Sequence, residues 1–228
     1  MAFNSNVTFI GYGVFASNKP STSNTKFQEG RAVTLFQSNI FFDGAYSLEH
    51  NLAKSGGAVQ LSESKLYING HVSITNNTVI ENGGGIYLSN SELNCQQKST
   101  LVLSSNTATL KGGGIHAISS SIKATATILE IFLVGLLRLC DGSILLFTGN
   151  MAKMGGGLSM ESNAKLYTQK YDVILTYFNI LCGISVYFIN NTADYGGAVF
   201  VDDDANSGTC ASSPRIECFF QVLHGYPP

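Results

Sequence analysis

The chain has 228 residues, 44% of them hydrophobic and 12% charged, with 24 glycines, no tryptophan and a net charge of −2. That much apolar material excludes wholesale disorder, and 13 basic residues that never form a run give no electrostatic support for a nucleic-acid or anionic-membrane partner. No transmembrane segment is expected, and the opening Met1 to Gly13 lacks the basic segment and apolar run of a secretory leader, as in a cytosolic protein or the inner part of a longer chain.

Reading forward, two motifs recur in fixed order. One is an aromatic or aliphatic residue followed three positions later by Asn: Phe15/Asn18, Leu48/Asn51, Ile74/Asn77, Leu103/Asn106, Phe147/Asn150 and Phe188/Asn191. The other is Gly-Gly followed by a small and then an aliphatic residue. It is degenerate at Gly30 and complete at Gly56-Gly57, Gly83-Gly84, Gly112-Gly113, Gly155-Gly156 and Gly196-Gly197. Successive glycine clusters start 26, 27, 29, 43 and 41 residues apart, the signature of a repeat array with two long intervals.

Short strands flank these motifs. After the glycines, Val59-Gln60-Leu61, Ile86-Tyr87-Leu88, Leu158-Ser159-Met160 and Val199-Phe200-Val201 alternate apolar with variable residues, giving one buried and one outward face. Lys65-Leu66-Tyr67, Glu92-Leu93-Asn94 and Lys165-Leu166-Tyr167 suggest a second strand; Val72/Ile74, Leu101/Leu103, Leu145/Phe147 and Val186/Phe188, before each Asn, mark a third. Glycine permits a sharp corner because positive φ costs it nothing. Asn tolerates the left-handed region and can stack its amide on the Asn of the next coil. The expected fold is all-β: a right-handed, single-stranded parallel β-helix of the pectin-lyase-like type, with three short strands per coil and about six coils over residues 1–204. Residues 205–228 form a tail with a candidate disulfide between Cys210 and Cys218, the alternative being two free thiols, and a possible last strand at Phe219 to Leu223.

Both long intervals are apolar insertions, near 125–141 and 171–185, at the same place in the repeat. Three origins fit them: a greasy interaction loop, a short helix against the rod, or intervening sequence left in a gene whose repeats duplicated.

The alternation of Gly-Gly-Ala-Val, as at Gly56 and Gly196, with Phe-x-x-Asn, as at Phe15, Phe147 and Phe188, resembles the repeats of chlamydial polymorphic outer membrane proteins. It also resembles similar arrays in extracellular β-helix proteins of simple animals. The resemblance implies a surface or secreted adhesion module, located outside the cell or on its surface, without a catalytic set.

Chemistry in the residues themselves is sparse. Asp202-Asp203-Asp204 is the one acidic cluster, readable as an acid–base pair, a calcium site with Asn206, or one more polar corner in register with Ser62-Glu63-Ser64. Gly11-x-Gly13-x-x-Ala16 imitates a dinucleotide fingerprint, but Pro20 denies it the following helix. His50, His71, His116 and His224 fall in different repeats and read as surface histidines. Asn6, Asn76 and Asn190 stand in N-x-[ST] sequons and are glycosylation candidates, with a corner role as the alternative for the last two. No residue set calls for a cofactor or metal. The expected role is non-enzymatic adhesion or ligand binding, to a cell-surface glycan or protein, on the outward row Gln60, Tyr87, His116, Ser159 and Phe200. Its rivals are a polysaccharide lyase or hydrolase and a structural spacer.

Overall fold

The computed structural model describes residues 2–18, 32–96, 99–125, 127–128, 140–141, 144–162, 164–169, 172–175, 178–181 and 185–201. These residues form a parallel β-solenoid. One sheet stacks seven strands in sequence order, from Ala2–Phe3 through Val33–Phe36, Val59–Ser62, Ile86–Ser89, Ile115–Ile118 and Leu158–Glu161 to Val199–Val201. The seventh strand beyond the six coils expected is the two-residue Ala2–Phe3. Register is uniform: Ile86 pairs with Val59 on one side and with Ile115 on the other.

A coil has four strand segments rather than three. After the first sheet, Lys65–Ile68 and His71–Thr75 lie in one broad sheet, and a short segment, Thr78–Val79, lies in a third, narrow sheet. The two broad-sheet segments are separate in this coil but fuse in earlier ones, where Asn6–Ala16 and Asn39–Glu49 run unbroken for 11 residues each. The additional segment carries Ala53, Val79, Ala108 and Ala152, which make a small buried cluster apart from the main core. Each stands two residues after a repeat Asn, so the sequence signal was an Asn-x-Ala/Val pattern. The main core is the inward row of each longer strand, such as Val59 and Leu61, Leu66 and Ile68, and Val72 and Ile74, all 0–1% exposed.

Among the described residues, three corners of the coil each turn on one left-handed residue. At the corner between the first and broad sheets it is Gln37, Glu63, Asn90, Ser119 or Ser162; at the next it is His50, Asn76, Ser105, Gly149 or Asn190; at the third it is Gly56, Gly83, Gly112, Gly155 or Gly196. The third corner requires glycine because a Cβ on Gly56 would stand 2.6 Å from the Val59 carbonyl oxygen. The repeat Asn itself is not the left-handed residue; the one before it is, which corrects the role inferred from sequence.

The residue after each of the first two left-handed positions forms a ladder. Asn18, Asn51, Asn77, Asn106, Asn150 and Asn191 stack so that each side-chain amide donates to the Oδ1 of the next, at 2.7–3.1 Å. From Asn51 onward the same Nδ2 also donates to a strand carbonyl of the preceding coil, Leu48 in the case of Asn77. Ser38, Ser64, Ser91 and Ser120 form a second ladder. Each hydroxyl donates to the carbonyl two residues back and, except at its first rung, accepts the backbone N–H of the preceding serine. At Ser38 the hydroxyl accepts the Ser5 N–H instead. Ala164, fully buried, stands where the serines end. The buried side chains of these two ladders are thereby paired along the stack.

Candidate interaction surface

The outward row on the first sheet is not a free surface. Gln60, His116 and Ser159 are 9%, 1% and 0% exposed, and only Tyr87 and Phe200 are partly open. The residues do point away from the core. The glycine corner, turned back by its left-handed residue, packs on them: a Cβ on Gly56 would approach the Gln60 Cβ to 2.9 Å, and one on Gly155 the Phe200 Cβ to 3.1 Å. Lys111 bridges to Glu161 beside this row, and the Tyr87 and His116 rings lie 5.5 Å apart. The expected binding face is therefore a second, partly polar packing layer.

His116 is correspondingly not a surface histidine. Burial pushes it down to about 4, and the Lys111 charge acts in the same direction. A free histidine titrates near 6.5. Between these values the unfolded chain takes up a proton that the folded chain refuses, so stability falls as pH drops from 6.5 towards 4, by about 3 kcal/mol in all. Urea denaturation of the native chain and of His116→Gln should diverge over this interval, the variant having the smaller acid loss. Parallel curves would show that His116 is not the source.

Exposed apolar side chains lie instead along the narrow-sheet side, at Ile80, Met151 and Tyr195, and on the broad sheet. On Asn6–Ala16, Ile10, Tyr12 and Val14 are 79%, 90% and 66% exposed. Phe41 and Tyr67 stack outward in neighbouring coils, with ring centroids 4.5 Å apart. The corner between the two halves of this sheet is also where the repeat changes length. Register leaves two residues there at 43–44 and 69–70, four at 96–99, 19 at 125–143 and 16 at 169–184. Both large insertions contain antiparallel pairs: Thr127–Ile128 with Cys140–Asp141, and Asp172–Leu175 with Phe178–Leu181. These segments are strands, as neither the loop nor the helix reading anticipated; residues 129–139 lie outside the described set.

Asn6, Asn76 and Asn190 are all exposed, the last two at left-handed corner positions, and Asn6 accepts a hydrogen bond from Asn39 Nδ2 at 2.8 Å. Gly11 and Gly13 lie within the strand Asn6–Ala16, as the repeat requires. His50 and His71 are exposed. Cys210, Cys218, Asp202-Asp203-Asp204, Asn206 and His224 lie outside the described residues, as does the tail strand. Cys95 is buried in the core, and burial pushes its thiol up to about 12.

These features define a repeat protein of the parallel β-solenoid class. The Chlamydia polymorphic membrane protein repeat matches residues 71–89 and 185–202. Both matches cover the same part of a coil, from the second half of the broad sheet through the Asn corner and the narrow sheet to the glycine corner and the first sheet. The chain is thus similar to that repeat family in the unit that builds its ladder. No curated protein and no solved structure matches it.

Proposed function

We propose that the chain is a non-enzymatic, surface-associated β-solenoid module that binds a cell-surface protein or glycan through its broad sheet and the insertions at that sheet's dividing corner. The observation that carries this reading is the confinement of large length changes among the central coils to one corner of the broad sheet, which also exposes Ile10, Tyr12 and Val14 and carries the half-buried outward stack of Phe41 on Tyr67. Loops set on a rigid scaffold are where binding varies without harm to the fold, and apolar side chains in such a place favour a partner. Similarity to a repeat of membrane-protein origin supports a surface setting.

The test compares the full chain with a variant whose two insertions are cut back to the four-residue corner of 96–99. Saturable binding to cells, glycans or matrix proteins should be weakened at least tenfold in the variant. Absence of binding by the full chain, or equal binding by both, would sink the proposal. Release of reducing or unsaturated ends from acidic glycans, lost on Asp203→Asn, would favour the lyase or hydrolase instead.

A further inference from the structure

At the corner between the broad and narrow sheets, a left-handed residue is followed by the ladder Asn. Of the six such corners, two place Asn at the left-handed position and a threonine two residues later: Asn76-Asn77-Thr78 and Asn190-Asn191-Thr192. In both, the paired Asn residues divide their roles. Asn77 and Asn191 donate into the stack, whereas Asn76 and Asn190, at φ of 55° and 50°, are exposed, as are Thr78 and Thr192. The turn itself does not call for an amide, because Ser17, His50, Ser105 and Gly149 make the same corner without one. Asn6, the third sequon, differs: it lies within a strand and is tied to Asn39.

We propose that Asn76 and Asn190 carry N-linked oligosaccharides, and that these cover the narrow-sheet flank between them. The inference rests on the surface setting of the proposed function, since this modification belongs to chains that enter a secretory route. In the transfer, Nδ2 of each Asn bonds to the anomeric carbon of an oligosaccharide carried on a lipid pyrophosphate. The sugar–phosphate bond breaks, the lipid pyrophosphate leaves, and a base of the transferring enzyme takes one amide proton. Thr78, Thr107, Met151 and Thr192 form one outward column, so the two sites stand three coil steps apart, about 14 Å at the usual strand spacing. Met151 in that column is exposed, as are Ile80, Leu110 and Tyr195 on the same flank. Bulky, solubilising chains rooted on either side of Met151 account for apolar side chains left open there. The dividing corner lies at the other end of the strand His71–Thr75, clear of both roots.

The full chain, secreted from eukaryotic cells behind a supplied leader, should show both sites occupied when mapped by mass spectrometry after enzymatic removal of N-glycans. Asn76→Ser and Asn190→Ser install the residue that the corner already accepts at Ser105, so each should fold and be secreted while losing one oligosaccharide. Peroxide should oxidise Met151 severalfold more slowly in the glycosylated chain than after the sugars are removed, with the buried Met160 as control. A bare Asn76 or Asn190, or equal rates at Met151, would overturn the inference. Absence of partner binding by a chain that carries both oligosaccharides would contradict the proposed function and leave this inference standing.

Discussion

Asn106→Ala should be among the most damaging single substitutions in the protein, lowering unfolding stability by on the order of 4 kcal/mol. Asn106 is fully buried at the centre of the asparagine ladder. Its Oδ1 accepts both the backbone N–H and the side-chain amide of Asn77, at 3.1 and 2.9 Å, while its Nδ2 donates to the Ile74 carbonyl and to Asn150. Truncation orphans two donors on Asn77 and takes a donor from the Ile74 carbonyl, while Asn150 Oδ1 keeps the Asn106 backbone N–H; each orphan without access to water costs about 1–3 kcal/mol. Asn18→Ala, at the exposed end of the same ladder, should cost only about 1 kcal/mol, because water replaces what is lost. Urea denaturation of the two variants checks the difference. Since coils contact only their neighbours, the Asn106 change should also broaden the transition by uncoupling the coils on either side.

Gly113→Ala should cost on the order of 3 kcal/mol through sterics alone. Gly113 does not have a positive φ, yet a Cβ there would stand 2.5 Å from the Gly156 carbonyl oxygen and 2.6 Å from both N and O of Met151. All three are backbone atoms held in register by the next coil, so none can move without breaking ladder hydrogen bonds. Gly149 presents the opposite case. Its φ is +58°, but the nearest atom to its Cβ position is Ser105 Oγ at 3.6 Å, and equivalent corners hold Asn76, Ser105 and Asn190. Gly149→Asn should therefore change stability by less than about 1 kcal/mol, the left-handed cost being offset by lost freedom of the unfolded chain. Thermal melts of both variants separate crowding from backbone torsion; equal losses would contradict the distinction.

The coil was legible because its corners make different demands. Gly113 cannot be replaced and Asn106 has no substitute with the same donors and acceptor, so both recur at a readable spacing. The serine ladder was less legible: Ser64, Ser91 and Ser120 sit among other polar residues, and their pairing with a carbonyl two residues back leaves no periodic apolar signal. The narrow-sheet segment is only two residues long in the coil of Thr78–Val79, too brief for alternation to reveal. The binding row failed for a different reason. Alternation shows which way Gln60, His116 and Ser159 point, but not that the glycine corner folds over them, since that contact depends on the path of the chain after a left-handed turn. The insertions are apolar without a regular alternation, so the antiparallel pairs within them left no readable pattern.

The most direct test of the stacked ladder is hydrogen exchange measured by NMR on the native chain at Asn77 and Asn106. Both residues are fully buried, and the backbone N–H and both side-chain amide protons of each are donated within the stack. These six protons should exchange only through global unfolding, far more slowly than the side-chain amides of the exposed neighbours Asn76 and Asn90. If the Asn77 and Asn106 side-chain protons exchanged as fast as those two, the buried ladder, and with it the register of the coils, would be contradicted.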